Sequence, residues 1–324
     1  MTRSSLLVLL FAAALLVAGS SPPTVSTWEG CLVSQNASYI PFGIPEADAE
    51  GLQLALNVEY LEAEFFLWSA FGHGLDVIIP GLSGGGSPPV GAQLANLDEF
   101  TRDLSAQFGY QEIGHLRAIK DTLGSAAFRR PVLDLSSANW AAFFDRALGG
   151  SLNPPFDVYA NSLNFLLASY MIPYIGLTGY VGGNTNLQSS TAKRLVAGLL
   201  GVESGQDAVI RAYLTEHAER IVSPYSFTVA EVTARLSNFR STIDHSYGVN
   251  DEGIHVPLCL GAEGRTTQNT LVGDDYSVSY SRTPAQVLSI VYRTGNPSCP
   301  GGFFPLGALG TIATSFLSEG CGQA

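Results

Sequence analysis

The fold is decided by residues 97–123, which read LDEFTRDLSAQFGYQEIGHLRAIKDTL. Apolar side chains recur there every three or four residues, which is the period of one face of an α-helix. The predicted inward stripe comprises Leu97, Phe100, Leu104, Phe108, Glu112, His115, Ile119 and Leu123. Glu112 and His115 interrupt this apolar face, and their spacing of three residues places them side by side. A buried carboxylate needs a counter-charge, hydrogen bonds or a metal ion, since burying it alone is costly.

Helical periodicity extends to three other segments, which are separated by breaks rich in Gly and Pro. The four predicted long helices span residues 47–71, 97–123, 157–180 and 192–218. Helices of more than twenty residues joined in this way predict an all-α four-helix bundle. The third of them is apolar enough to resemble a membrane span, but Asn164, Ser169 and Pro173 interrupt it. We interpret it as the most buried helix of the bundle.

The first and fourth predicted helices also carry polar side chains on their apolar faces. Glu59 lies on the first helix with Glu62 nearly one turn further, and Glu203 and Gln206 lie on the fourth. Carboxylate and imidazole groups that converge from facing helices suit Fe or Mn. The alternative is a metal-free network in which these side chains and Tyr hydroxyl groups satisfy one another. The residues alone leave both alternatives open.

The N-terminal residues have the pattern of a secretory signal peptide, which we predict to span residues 1–20. Arg3 precedes thirteen apolar residues, 6–18, and small residues then lead to Pro22. A membrane anchor is the alternative, but a bilayer span needs about 20 apolar residues. We therefore predict secretion without a transmembrane anchor, to the extracellular space or cell wall, with the vacuole as another destination. Asn36, followed by Ala and Ser, is a predicted N-glycosylation site.

Four cysteines flank the predicted bundle: Cys31, Cys259, Cys299 and Cys321. None forms a Cys-x-x-Cys motif, so disulfides in an oxidising compartment are a better interpretation than zinc. Three pairings are compatible with the sequence, and every complete pairing ties Cys31 to the C-terminal part of the chain. The predicted organisation is an N-terminal arm over 21–46, the bundle over 47–220 and a wrapping extension over 221–324.

Composition excludes several classes of function. The 28 acidic residues outnumber the 16 Lys and Arg residues, so the chain lacks the basic surface that nucleic-acid binding requires. The sequence contains no nucleophile elbow, phosphate loop or dinucleotide fingerprint, and we identify no catalytic residue. The sequence names no client or ligand, and a bundle of this kind is compatible with an oligomer.

Five stretches of the sequence are distinctive: LNVEYLEAEF at 56–65, ASYMIPYIGLTGY at 168–180, LLGVESGQD at 199–207, YSRTP at 280–284 and PGGFFP at 300–305. Together they resemble the plant desiccation-related proteins that contain a ferritin-like domain. The resemblance covers about residues 47–310. It implies a ferritin-like four-helix bundle with an irregular, disulfide-tied C-terminal extension, and a role connected with drying.

The resemblance also implies a pattern of metal ligands. A complete di-metal member has Glu on the first helix, Glu-x-x-His on the second, Glu on the third and Glu-x-x-His on the fourth. The matching residues are Glu59, Glu112, His115 and Glu203. Pro173 is predicted to replace the third-helix Glu, and Gln206 replaces the second His. These changes argue against a two-metal centre. They leave either no cofactor or a single Fe or Mn ion, and Glu62 would be a further ligand of that ion.

Three hypotheses for function follow. We expect first a secreted, non-catalytic protein that protects against desiccation or stress and whose metal site is degenerate. The second hypothesis is a metal-dependent oxidase or metal scavenger that uses Glu59, Glu112 and His115. The third is a module that binds cell-wall carbohydrate. Its only support is export and the aromatic residues of the extension, Tyr276, Tyr280, Phe303 and Phe304.

Overall fold

A computed structural model describes residues 43–245, 253–317 and 321. Helices α1 to α5 are Glu46–Phe71, Leu75–Ile78, Glu99–Leu123, Ser137–Leu148 and Ser162–Ser169. Helices α6 to α10 are Pro173–Asn184, Ser190–Glu216, Val229–Ile243, Pro284–Val291 and Thr311–Ser315. The same part of the chain contains isolated β-bridges but no β-strand. The predicted all-α fold is therefore confirmed.

The bundle consists of α1, α3, α7 and the pair α5 and α6. Helix α1 packs extensively on α3, and α6 packs on α7, while α1 also touches α6 and α3 touches α7. The apolar core lies between these helices and includes Leu56, Phe66, Leu116 and Ile210, all buried. The bundle thus closes around a common interior to which each long helix contributes.

The predicted third helix is two helices rather than one. Helix α5 begins at Ser162, where the Asn161 side chain accepts a hydrogen bond from the Asn164 amide, and ends at Ser169. Helix α6 begins at Pro173. Proline lacks the N–H that a residue in the helix interior donates, but N–H groups of the first turn have no partner within the helix, so proline is tolerated there. Pro173 therefore ends one helix and starts the next.

The segment Ser162–Asn184 is long and apolar enough to cross a membrane by length and composition alone. Within this segment, 83% of the most apolar window is buried inside the protein. Its interpretation as the most buried part of the bundle agrees with this burial.

Residues 130–155, predicted as a break between helices, contain the additional helix α4. The Ser136 hydroxyl caps its start by accepting a hydrogen bond from the Asn139 amide. Trp140, Phe143 and Phe144 on α4 are buried. The Gly and Pro residues at both ends of the segment masked this twelve-residue helix in the sequence.

The predicted inward position of Phe100 is also wrong, because Phe100 is 60% exposed. Helix α3 begins at Glu99, the residue before Phe100, and the Asp98 carboxylate caps it by accepting a hydrogen bond from the Thr101 amide. In this first turn Phe100 stacks on Tyr213 of α7 at the bundle surface.

The C-terminal extension packs on the bundle through α8, α9 and α10. Asn57 of α1 donates a hydrogen bond to the Leu309 carbonyl and accepts one from the Leu309 amide, each at 2.8 Å. Cys299 and Cys321 form a disulfide. Cys259 is exposed and is not in a disulfide among the described residues, and Cys31 lies outside them.

The aromatic residues proposed as a carbohydrate platform do not share a surface. Phe303 and Phe304 are fully buried, and the Phe303 ring stacks on Phe143 of α4. Tyr276 alone of the four is highly exposed, at 85%. The two phenylalanines belong to the core, so only Tyr276 and the half-buried Tyr280 remain of the aromatic support for the carbohydrate hypothesis.

Candidate metal centre

Four of the predicted ligands meet in the middle of the bundle. They are Glu59 of α1, Glu112 and His115 of α3, and Glu203 of α7, and one ligand atom from each lies within 4.8 Å of all the others. All four residues are buried. Together with Glu62, described below, these residues form what we call the carboxylate centre. Their convergence agrees with their placement on the apolar faces of three helices, while the binding of a metal stays a prediction.

A single imidazole nitrogen faces three carboxylates of this centre. His115 Nδ1 lies 3.0 Å from Glu59 Oε2, 2.9 Å from Glu112 Oε2 and 3.4 Å from Glu203 Oε1. A protonated Nδ1 carries one hydrogen and cannot give a full hydrogen bond to each carboxylate. A neutral His115 with its proton on Nε2 would instead present a lone pair to the centre, as a metal ligand does.

Two neutral side chains complete the hydrogen bonds that the centre makes. The Tyr180 hydroxyl of α6 donates to Glu59 Oε1, and Gln206 Nε2 of α7 donates to Glu112 Oε1 at 2.5 Å. Tyr180 was not among the residues predicted for the site. Tyr180 lies in an apolar stretch, and the sequence gave no reason to assign it to the site rather than another buried tyrosine. Only the packing of α6 on α1 directs its hydroxyl towards Glu59.

Glu62 is fully buried beside the other carboxylates, and neither of its oxygens has a hydrogen-bond partner among the described residues. Gly176 of α6 leaves room for it. A Cβ atom at position 176 would lie 3.4 Å from Glu62 Oε1 and 3.2 Å from Glu203 Oε2. The third-helix position next to the centre is therefore Gly176, which corrects the assignment of that position to Pro173. Pro173 begins α6 one turn earlier.

Burial and mutual repulsion strongly shift the protonation of the centre. Burial, reinforced by Glu203 and other nearby carboxylates, raises the pKa of Glu62 and of Glu112 well above the usual range. Burial also raises the pKa of Glu203, to about 7. Burial opposes ionisation of Glu59 as well, but the nearby His115 holds the Glu59 pKa below its usual value. The pKa of His115 is raised, since Glu59 and Glu112 outweigh its burial.

The donor set fits a metal cation. The buried atoms without a hydrogen-bond partner among the described residues include both oxygens of Glu62, both oxygens of Glu203 and Oε1 of Gln206. Unsatisfied polar atoms in a protein interior are rare and costly. Carboxylate oxygens with one imidazole are ligands that Mn and Fe accept, and a cation would satisfy the oxygens and offset their repulsion.

Comparison with known proteins agrees with this architecture. Residues 47–216 match the ferritin-like domain family. The chain is 54% identical over 275 residues to the ferritin-like catalase Nec2 of Nesocodon mauritianus, covering 85% of this chain and 88% of the relative. It is 49% identical over 262 residues to the desiccation-related protein PCC13-62 of Craterostigma plantagineum, covering 81% of this chain and 83% of that relative. No solved structure matches the chain.

The family match spans the bundle helices that supply the carboxylate centre, and both relatives extend the similarity to most of the chain. The resemblance predicted from short stretches of sequence is thereby confirmed. The chain belongs to the plant desiccation-related family of proteins with a ferritin-like domain.

Proposed function

We propose that this stress-related ferritin-like protein holds a Mn or Fe ion in the carboxylate centre and decomposes hydrogen peroxide. The observation that carries the proposal is the fully buried position of both Glu62 oxygens and of Glu203 Oε2, which have no hydrogen-bond partner among the described residues. The similarity to a protein named as a ferritin-like catalase supports the choice of peroxide as substrate. The proposal prefers an enzyme to the non-catalytic protein that we expected from the sequence.

The reason for this preference is the number of carboxylates. The resemblance implied that the third-helix Glu was lost, which suggested a degenerate site. Glu62 lies beside Gly176 and brings the number of buried carboxylates to four, the number that a complete di-metal member of the family pattern would have. Gln206 still replaces the second His, so the centre offers one imidazole nitrogen fewer than a complete di-metal member of the family pattern would.

The residues that would hold the ion are Glu59, Glu62, Glu112, His115 and Glu203. The chemistry supplied by a bound Mn or Fe ion would be the transfer of two electrons from one peroxide molecule to a second. The overall reaction converts two H₂O₂ into two H₂O and one O₂, so it needs no external reductant.

The side chains around the centre would position substrate and protons. The Tyr180 hydroxyl keeps a proton against Glu59 Oε1. Burial and the nearby carboxylates raise the pKa of Tyr180 well above its usual value, so its hydroxyl stays protonated and fixes the orientation of Glu59. Gln206 Nε2 of α7 orients Glu112 in the same way.

Element analysis of protein purified without chelator, combined with oxygen release from peroxide, tests the proposal. We expect at least one equivalent of Mn or Fe per chain and rapid release of O₂. Glu112→Ala and His115→Ala should abolish both. Glu99→Ala, an exposed residue of the same helix, is the matched control and should change neither. A metal-free native protein, or variants that keep full metal and activity, would contradict the proposal.

A metal-free protective bundle is the second candidate. Its support is the hydrogen-bond network in which His115 contacts Glu59 and Glu112 while Tyr180 and Gln206 donate to them. In this case the carboxyl groups with raised pKa would hold protons in place of a metal. The same element analysis separates the two candidates, since the protective bundle would contain no metal above background.

We also propose that the protein is exported. The support is the predicted signal peptide and the Cys299–Cys321 disulfide, which is typical of oxidising compartments. The signal peptide and the predicted glycosylation site Asn36 lie outside the described residues. Mass spectrometry of the mature protein should find an N-terminus close to residue 21 and a glycan on Asn36, whereas a chain that starts at Met1 would contradict export.

A further inference from the structure

An apolar cavity of about 110 Å³ lies beside the carboxylate centre, between α1, α6, α7 and α9. Its outer part is lined by Ala47 and Asn186, which are exposed, and by Ile312, which is half-buried. Its inner part is lined by Gly176 and Tyr180, which are buried. The cavity therefore leads from residues at the protein surface into the bundle.

The inner wall of the cavity is also a wall of the carboxylate centre. The Tyr180 hydroxyl donates to Glu59, and the Cβ position of Gly176 lies within 3.4 Å of oxygens from Glu62 and Glu203. Both glutamates are completely inaccessible to solvent. Their oxygens also have no hydrogen-bond partner among the described residues. The cavity thus ends beside unsatisfied oxygens of the centre.

No close contact requires a glycine at position 183 in the wall of the cavity. A Cβ atom at Gly182 would lie 2.2 Å from the Arg282 carbonyl oxygen, so close packing requires glycine there. A Cβ atom at Gly183 would meet no atom within 4 Å. Glycine in a helix is less stable than alanine, and at Gly183 no close contact offsets this loss. Gly183 lines the cavity, and the open space at its Cβ position can accept a larger side chain.

We propose that this cavity is the route by which hydrogen peroxide reaches the centre and that it restricts the substrate to small uncharged molecules. This inference rests on the proposed peroxide-decomposing function. The apolar walls oppose the entrance of ions, because an ion loses its hydration there. The carboxylates behind Gly176 and Tyr180 further repel anions. Hydrogen peroxide is neutral and small enough for the cavity, whose lining is apolar apart from Asn186, Arg282 and Tyr180.

The substitution Gly183→Leu tests the route, because Gly183 lines the cavity and a leucine side chain added to this wall should narrow it. Gly198→Leu is the matched control, since Gly198 lies on the exposed side of α7 and its Cβ would also meet nothing within 4 Å. Metal content of both variants should match the unsubstituted protein, and neither should unfold at a lower temperature, since each replaces a helical glycine. The kcat/KM for hydrogen peroxide should fall about tenfold or more in Gly183→Leu alone.

Crystals pressurised with xenon give a second measurement that does not depend on activity, since xenon binds in dry apolar cavities. Xenon should occupy the cavity of the metal-free unsubstituted protein and of Gly198→Leu, and it should be absent from Gly183→Leu.

The outcomes separate the route from the function. An active unsubstituted protein whose Gly183→Leu variant excludes xenon but keeps full kcat/KM overturns the route and leaves the function standing. An unsubstituted protein that excludes xenon overturns the route as well. An unsubstituted protein that consumes no peroxide overturns the proposed function, and with it the assignment of the cavity to peroxide. Xenon binding and a lower kcat/KM in Gly183→Leu alone support both.

Discussion

Helices α6 and α7 serve two buried polar regions of opposite charge. The carboxylate centre receives Glu203 and Gln206 from α7 and lies against Gly176 and Tyr180 of α6. The second region, here called the arginine layer, consists of Arg211, Arg240, Arg282, Tyr170 and Tyr174. All three arginines of this layer are fully buried. The comparison shows two ways in which one bundle accommodates charge in its interior.

The arginine layer is balanced by the protein itself. Arg211 pairs with Asp207 at 2.9 Å, and Arg282 pairs with Asp244 at 2.7 Å. Arg240 donates to the Tyr170 carbonyl and lies over the Tyr170 ring, 4.7 Å from its centroid. Carboxylates, carbonyl groups and aromatic faces thus surround the guanidinium groups.

The carboxylate centre lacks this balance. It contains four carboxylates and a single imidazole, and two of the carboxylates have oxygens without a hydrogen-bond partner among the described residues. Buried charge that the protein compensates is structural, whereas buried charge that needs a proton or a cation indicates a binding site. Four predictions test this distinction.

The largest effect is expected when the arginine layer loses a cation. Arg282→Met should lower the free energy of unfolding by about 3–5 kcal/mol, because it breaks the buried ion pair between Arg282 and Asp244. Urea unfolding measures this loss, and metal content of the folded protein should be unchanged. Arg265→Met is the control, since Arg265 is exposed. Equal stability of the two variants would show that the arginine layer is not a structural ion-pair network.

Removing a charge from the carboxylate centre should have the opposite effect on metal-free protein. Glu62→Gln should stabilise the chelator-treated protein by about 1 kcal/mol, because a neutral amide removes the free-energy cost of protonating this buried carboxyl group or of ionising it beside the other carboxylates. The same change should weaken metal affinity about tenfold or more, because a neutral amide replaces a charged ligand.

Glu64→Gln is the matched control for this substitution. Glu64 lies on the same helix and is equally buried, but it pairs with Arg130. Its substitution should destabilise the protein with and without metal and should leave metal affinity unchanged. A Glu62→Gln variant that behaves like Glu64→Gln would mean that the centre is a structural network.

The pH dependence of the metal-free protein should follow the raised pKa values of the centre. A carboxyl group whose pKa is higher in the folded state binds more protons there, so its contribution to stability is present at low pH and is lost as pH rises through the folded pKa. For Glu203 that folded pKa is about 7. The melting temperature of chelator-treated protein should therefore fall by several degrees between pH 5 and pH 8. Metal should abolish the fall, and a constant melting temperature would contradict the prediction.

The smallest effect is expected from the hydroxyl of Tyr180. Tyr180→Phe removes one hydrogen bond to Glu59 and should cost about 1 kcal/mol, seen as a severalfold lower kcat with metal retained. Tyr225→Phe, whose hydroxyl bonds the Pro154 carbonyl away from the centre, should leave kcat unchanged. An unchanged kcat in both variants would remove Tyr180 from the positioning of Glu59.

The sequence was sufficient to predict what depends on helical periodicity. Glu59, Glu112, His115 and Glu203 were recognised because charge stands out on an apolar stripe, and helix spacing brings such residues together. Phe100 shows the limit of this reasoning, since its stripe position lies in the first turn of α3, where the bundle has already opened to solvent.

Contacts between distant segments were not predictable from periodicity. Gly176 faces the carboxylates because α6 starts anew at Pro173, and no local pattern encodes the direction of a restarted helix. Tyr180 and the cavity depend on the same packing of α6 against α1. Helix α4 was missed for another reason, because its apolar face is short and is flanked by residues typical of loops.

The two hydrogen bonds between Asn57 and Leu309 have a consequence for the modularity of the chain. Asn57 lies two residues before Glu59 on α1, whereas Leu309 lies far beyond the ferritin-like match, which ends at residue 216. The C-terminal extension therefore supports the helix that supplies part of the centre, and loss of the extension would leave the buried side-chain oxygen of Asn57 without the Leu309 amide that donates to it. The ferritin-like segment is accordingly not a self-contained module that could be transplanted into another protein without the residues that follow it.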